Sequence, residues 1–253
     1  MSPALPQEMQ QHTYAIMNRV EDSHWWFVGR RLILEEFLRQ IIRNPKSGIR
    51  NPKILDVGCG TGANLEMLAQ FGAAEGVDVS EEALEFCRAK GLKTHKGLAE
   101  KLPFADESFD LVTALDVVEH LDNDVAGLRE MHRVLKSGGR TLIFVPAFMW
   151  LWGVQDDISN HRIRYTKKQI VERLEKAGFE IERATYANWT FFVPILAGRT
   201  LMKITGIKPE SENNVNVSAL NGVFGKIFGA ERFWLKNFGF PFGVSIVITA
   251  RKK

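Results

Sequence analysis

The chain has 253 residues, of which 45% are hydrophobic and 25% charged, and it carries a formal net charge of +3. This balance excludes a disordered or collagen-like chain, and so small an excess of positive charge gives no electrostatic case for a nucleic-acid partner. The two cysteines, Cys59 and Cys87, make no disulfide framework and fit a reducing, cytoplasmic setting.

The N-terminal residues lack the basic region and apolar core of a secretory signal. The longest apolar stretches, Trp189 to Ala197 and Phe238 to Ala250, are too short to span a bilayer and contain Pro or Gly. A soluble protein with one main domain is expected. In chain order, Gln7–Arg19 and Gly29–Arg43 read as two helices flanking EDSHWWF. Strands then alternate with helices: Lys53–Val57 a buried strand, Thr61–Gln70 a helix, Ala74–Val79 a strand. The next helix, Ser80–Lys90, is capped by Ser80 and has Glu81 and Glu82 in its first turn, where acidic groups are favoured. Leu92–His95 is a short strand and Phe109–Leu115 a longer one. The helix Asp122–Leu135 ends at Lys136-Ser137-Gly138-Gly139, and Arg140–Val145 is the following strand. A helix capped by Thr166 and ended by Gly178 leads to another strand, and Val244–Ala250 makes the last one. Between them, Asn188 to Phe240 carries Phe, Trp, Gly and Pro without a clean period and reads as an insertion. The alternation predicts an α/β fold, a parallel sheet with helices on both faces.

The first strand leads into Gly58-Cys59-Gly60-Thr61-Gly62-Ala63, a run that satisfies the dinucleotide fingerprint, with Asp78 about 20 residues on where a ribose-binding acid belongs. Asp56, two residues before the first glycine, opposes a pyrophosphate on this turn and favours a ligand with ammonium and sulfonium charges. S-adenosylmethionine is such a ligand. From about Lys53 to Val145 the chain resembles the class I S-adenosylmethionine-dependent methyltransferase family in LDVGCGTG, GVDVS, AEKLPFADESFDLVTALDVVEHL and EMHRVLKSGGRTLIF, which occur in the family's order and spacing.

The resemblance implies a Rossmann-like, doubly wound, seven-stranded and mostly parallel sheet whose last strand is antiparallel. It implies a helical lid over residues 1–50 and a methyltransferase domain over 51–253, with the insertion at about 188–240. The cofactor is then expected over Asp56, Gly58, Cys59, Gly60 and Gly62, with Asp78 on the ribose and Val79 beside it. Many relatives have an acid where this chain has Leu98, so the adenine contact falls to the Ala99 backbone and Glu100, with Leu115 and Asp116 below. Trp25, Trp26 and Phe27 suit a lid whose aromatic faces attract a sulfonium, and Arg30 or Arg31 suits the methionine carboxylate.

Asp116, Glu119 and His120 follow the fourth strand, at the ligand-binding edge of such a sheet. They are read without a metal, with His120 as general base because an unperturbed imidazole titrates near neutrality, and with Glu119 toward the acceptor. His161, Arg162, Arg164 and Tyr165 form a second cluster, suited to a carboxylate or phosphate on the acceptor. The expected reaction is methyl transfer to an oxygen or nitrogen atom of a small or medium-sized molecule by a monomer or homodimer. A dinucleotide-dependent oxidoreductase and a non-catalytic cofactor-binding subunit are the alternatives. The aromatic content of the insertion suits an apolar or aromatic acceptor, a dimer interface or a membrane surface.

Overall fold

The computed structural model describes residues 11–43, 51–207 and 218–253. Two helices, α1 (Gln11–Val20) and α2 (Trp25–Arg43), precede the strand β1 (Lys53–Val57). The elements α3 (Ala63–Ala69), β2 (Ala73–Asp78), α4 (Glu81–Ala89), β3 (Thr94–Lys96) and β4 (Phe109–Leu115) follow. Then come α5 (Asp124–Val134), β5 (Leu135–Pro146), α6 (Val154–Ile158), α7 (Lys167–Lys176) and β6 (Phe179–Ala187). The chain closes with α8 (Phe192–Thr205), α9 (Asn221–Leu235) and β7 (Ser245–Lys252). The strands form one seven-stranded sheet in the order β3-β2-β1-β4-β5-β7-β6, in which β7 runs antiparallel to both neighbours and the other pairs are parallel. The strand order reverses beside β1, so the carboxyl ends of β1, β2 and β4 border the crevice where such sheets take ligands.

Period-two alternation decides which side chain meets which layer. Leu55 and Val57 of β1 join a buried cluster with Leu128 and Met131 of α5 and Ile170 and Leu174 of α7. Ile54 points the other way, into a cluster with Ile33, Leu34, Phe37 and Leu38 of α2 and Phe228 of α9. The capping expectations hold: the Ser80 hydroxyl accepts from Ala83 N, and Thr166 and Gln169 form a capping box at α7.

Two boundaries differ from the sequence reading by more than two residues. α2 starts at Trp25 instead of Gly29, because the Trp25 ring lies 4.6 Å from Phe191 and 6.0 Å from Phe228, and this packing outweighs the modest helix propensity of aromatic residues. Residues 7–10 of the first expected helix lie outside the described residues. β5 begins at Leu135, five residues early, and Gly138 (φ 76°) takes its left-handed conformation inside an irregular strand start, not at a helix end.

The insertion contributes α9, which crosses α2 so closely at Gly29 that an added Cβ would stand 2.5 Å from Cδ1 and 2.8 Å from Cβ of Phe228. Alanine at an ordinary helix interior stabilises by roughly 0.5–1 kcal/mol over glycine. Gly29→Ala is expected to do the opposite and lower the unfolding free energy by about 1–3 kcal/mol in urea titrations, and an increase would mean that α2 and α9 do not pack as described.

Candidate active site

The turn after β1 is bound to the tip of β2. Gly58 N and Cys59 N both donate to Val77 O, at 2.7 and 3.2 Å, and Gly60 N donates to Asp78 Oδ2 at 2.9 Å. Gly58, Gly60 and Gly62 have φ of 67°, 52° and 99°, a region that side chains other than glycine rarely adopt. A Cβ on Gly58 would also stand 2.4 Å from Val117 Cγ2. The other oxygen of Asp78, Oδ1, accepts from Ser80 N at 2.9 Å, so the carboxylate is held from two sides where the turn meets the cavity.

That cavity has a volume of about 400 Å³, within the range of small-molecule sites. Tyr14 and Met17 of α1 line one wall, and Ala99, Leu115 and Val117 give it an apolar surface. Glu21, just after α1, accepts from Thr61 Oγ1 at 2.6 Å and from Lys90 Nζ at 3.1 Å, tying the N-terminal segment to the glycine-rich turn and to α4. Trp26 also lines the cavity, with the Arg30 guanidinium 4.7 Å from its ring centre. Arg30 pairs with Asp116 and donates to Asn64 Oδ1 at 3.1 Å. Burial pushes the Asp116 carboxyl up and Arg30 pulls it back, while its backbone is held at φ 60° directly after β4.

Across the cavity lies a second buried charge network. His161 Nδ1 is 2.8 Å from Asp156 Oδ1, and Asp156 also accepts from Gly153 N at 2.7 Å and from Arg164 Nη1 at 2.7 Å. Arg199, reaching in from α8, is 3.4 Å from Asp156 Oδ2. Burial opposes ionisation of Asp156, but the His161 hydrogen bond and the Arg164 and Arg199 charges outweigh it and hold the carboxyl well below the usual range. An ionised carboxylate only accepts, so Nδ1 of His161 carries a proton toward Asp156 and Nε2 is the ring's other nitrogen, 3.9 Å from Glu119 Oε1.

The sequence-selected residues divide by position. Gly58, Cys59, Gly60, Asp78, Val79, Ala99, Leu115 and Asp116 all line the cavity, as do Trp26, Arg30, His120, His161 and Arg164. Gly62, Glu100, Glu119, Arg162 and Tyr165 do not. Asp56 does not either: it shares the face of β1 turned to α2, where Thr113 Oγ1 donates to it at 2.6 Å, and burial pushes its carboxyl up to about 7 against the pull of Thr113 and Arg30. Asp56 therefore lies beneath the turn without the direct contact expected of it, and burial works against the charge for which it was selected. Tyr165 is fully buried, and its hydroxyl lies 3.0 Å from Asp124 Oδ2. Arg162 pairs with Asp122 on the surface side. Arg164 is committed internally, donating to Ala147 O at 2.8 Å and Val244 O at 3.1 Å as well as to Asp156.

His120 differs most from its expectation. Burial, together with the neighbouring His161 and Arg162, holds its imidazole well below the ordinary value, so the unperturbed pKa that recommended it as a base does not apply. Its ring is 4.6 Å from that of His161. Glu119 is fully buried, and burial and the Asp116 charge push its carboxyl well up. Glu119, His120 and His161 each place one ligand atom within 4.8 Å of the others. Sequence reasoning missed Asp156, Arg199, Asn64 and Glu21; Asp156 alone had a local signal, a carboxylate five residues before His161.

Comparison with known proteins agrees with this geometry. Residues 55–143 match the methyltransferase domain family. Demethylmenaquinone methyltransferase of Chlorobaculum parvum is 43% identical over 142 residues, covering 53% of this chain and 55% of that protein. Ubiquinone biosynthesis O-methyltransferase of Pseudomonas aeruginosa is 33% identical over 109 residues, 39% of this chain and 46% of that one. The chain thus spans about half the length of the curated relatives it matches. Among solved structures, a methyltransferase of Thermotoga maritima described as a possible histamine N-methyltransferase superposes with TM-score 0.59 at 22% identity, covering 96% of this chain and 100% of that one. A TehB-like methyltransferase of Corynebacterium glutamicum gives TM-score 0.56 at 17% identity, covering 96% and 97%. Residues 55–143 thus match a methyltransferase domain, and the chain as a whole shares the fold of S-adenosylmethionine-dependent methyltransferases. S-adenosylmethionine is the cofactor of that family.

His24, at the cavity edge, is almost fully buried, and burial lowers its pKa to about 4. The folded protein therefore binds fewer protons here than the unfolded chain, so this contribution to stability is complete above pH 6.5 and is lost as pH falls toward 4. His24→Asn is expected to flatten urea-unfolding free energy against pH in that window, by up to about 3 kcal/mol relative to wild type. Parallel curves for the two proteins would show that His24 is not buried as a neutral ring.

Proposed function

We propose that this protein transfers a methyl group from S-adenosylmethionine to an oxygen or nitrogen atom of a small or medium-sized acceptor, and that His161, held by Asp156, takes the acceptor's proton. The observation that carries this reading is the pairing, across one cavity, of a carboxylate clamped to a glycine-rich turn with an imidazole whose Nδ1 is 2.8 Å from a buried carboxylate.

The residues present fit the cofactor. Asp78 offers acceptor oxygens to a pair of ribose hydroxyls, and Gly60 leaves room beside it, since a Cβ there would find its first neighbour only at Met17 Cε, 4.0 Å away. The apolar Ala99, Leu115 and Val117 suit an adenine ring, and Trp26 presents an aromatic face to a cationic centre. When bound, S-adenosylmethionine supplies an electrophilic methyl carbon on a sulfonium sulfur. The chain's own work is to position the acceptor and to remove its proton. Asp156 fixes the His161 ring through Nδ1, which makes Nε2 the nitrogen available to an acceptor, whereas burial holds His120 well below its ordinary value. The lid expected over residues 1–50 is then served by α1 through Tyr14 and Met17 together with the Trp25–Trp26 pair, all of which line the cavity. The reading assigns no metal to Glu119, His120 and His161. The quinone-pathway names of the relatives favour an aromatic acceptor with apolar character.

Release of S-adenosylhomocysteine across a panel of phenolic and amine acceptors distinguishes a catalyst from a cofactor-binding subunit. With a hydroxyl acceptor, His161→Asn is expected to lower kcat by about 10²–10⁴ while leaving cofactor affinity unchanged. Unchanged turnover in that variant would remove His161 from the proton path.

A further inference from the structure

α8 is apolar on two faces, and only one of them faces the rest of the protein. Ile195, Gly198, Arg199 and Met202, at helical spacing, line the cavity. Val193, Leu201 and Ile204 point outward and are 68%, 61% and 78% exposed. None of the 14 residues of α8 is buried. A helix with apolar residues all round is normally covered on all sides, and a contiguous exposed apolar patch marks an interaction site.

The patch continues beyond α8 as an unbroken line of aromatic rings. Trp150 lies 5.7 Å from Phe192 at the start of α8, Phe192 4.8 Å from Phe242, and Phe242 6.3 Å from Trp189. Trp189 stacks on Phe240 at 5.6 Å, Phe240 is 6.3 Å from Trp234, and Trp234 is 4.7 Å from Phe238. The three tryptophans are 52%, 45% and 52% exposed in that order along the line. Half-exposed indoles beside outward aliphatic groups are the composition that rests at a lipid–water boundary, with the apolar ring inside and the N–H in water.

Charge selects between lipid and protein as the covering partner. Among the described residues of 189–207 and 218–243, the basic residues are Arg199, Lys203, Lys226, Arg232 and Lys236, and the one acidic residue, Glu231, is buried with its carboxylate accepting from Asn188 N and Thr190 N. Residues 208–217, which include Lys208, Glu210 and Glu212, lie outside the described residues. At the Trp150 end of the patch the exposed carboxylate is Asp157, which accepts from Trp152 Nε1 beside Lys203. A second copy docked on this face would still set Lys203, Lys226 and Lys236 against each other with a deficit of negative charge. An anionic lipid surface supplies the missing counter-charge, and each lysine near such a surface adds attraction.

We propose that α8 and the aromatic line from Trp150 to Phe238 dock this protein on an anionic lipid surface. Because the inner face of α8 lines the cavity, docking sets the cavity wall one helix away from the lipid. A lipid-tailed acceptor then enters beneath α8, a consequence that rests on the methyltransferase reading, whereas the docking itself does not.

Co-sedimentation of the full chain, without cofactor or acceptor, with phosphatidylcholine vesicles and with vesicles also containing phosphatidylglycerol tests the docking. Binding to the anionic vesicles, with a blue shift of tryptophan emission, is expected. The double variant Leu201→Glu, Ile204→Glu should lose about tenfold or more in partitioning with its melting temperature unchanged, because these side chains touch no core. Lys203→Glu with Lys236→Glu should weaken binding to anionic vesicles and leave the weak binding to neutral ones as it was. No sedimentation of wild type, or equal sedimentation of the Leu201/Ile204 variant, overturns the proposal. So does a dimer in solution that this variant dissolves while vesicles are ignored, since the face would then belong to a second copy. Vesicle binding without methyl transfer would sink the enzymatic reading and leave the docking intact.

Discussion

The arrangement of this protein depends on one short turn. Gly58, Cys59 and Gly60 turn their amides onto the end of β2, two to the Val77 carbonyl and one to the Asp78 carboxylate. The backbone can do this only with positive φ, and at Gly58 only without a side chain, because Val117 fills the space where a Cβ would stand. The clamp fixes Asp78 at the mouth of the cavity and sets the direction of α3, whose first turn places Asn64 against Arg30. Arg30 in turn pairs with Asp116 at the end of β4 and sits over Trp26. The glycines thus organise three strand ends and α2 through a chain of charge-assisted hydrogen bonds.

The cavity has two sides of different origin. The turn, Asp78, Ala99, Asp116 and His120 all lie within residues 55–143, the part of the chain shared with the methyltransferase domain family. Trp26 and Arg30 come from before it, and Asp156, His161 and Arg199 from after it. The domain match therefore covers the turn and Asp78 of the proposed cofactor side and stops before Asp156, His161 and Arg199. That division matches the physical demand: every member holds the same cofactor, while each acceptor needs its own wall. The wall proposed for the acceptor is a buried network in which one carboxylate, Asp156, meets His161, Arg164 and Arg199. Such a network is held in place because removing any partner leaves a buried charge uncompensated.

Much of the fold was legible because local chemistry and tertiary structure agree. The strand–helix alternation, the Ser80 and Thr166 caps and the glycine run each carry a local signal, and each is found where that signal stands. Asp56 was chosen for the right region and the wrong geometry: it sits on β1, where alternation turns it toward α2 and away from the strand end. The cluster after β5 read as donors for a ligand, yet Arg164 and Tyr165 spend their polar atoms on Ala147, Val244 and Asp124, partners that only the folded chain brings near. His120 could not be judged without its surroundings, since burial, with His161 and Arg162 beside it, reverses the inference from its ordinary pKa. α8 was illegible because its period is blurred by apolar residues on both faces.

The central claim is that the clamped turn and Asp78 hold S-adenosylmethionine. Calorimetric titration of wild type and Asp78→Ala with S-adenosylmethionine, and of wild type with NAD, tests it most directly. Wild type should bind S-adenosylmethionine and not NAD, and Asp78→Ala should lose about 1.5–3 kcal/mol of that binding while keeping its fold, as expected for charge-assisted bonds to a pair of hydroxyls. Preference for NAD, or undiminished affinity in a folded Asp78→Ala protein, would contradict the account.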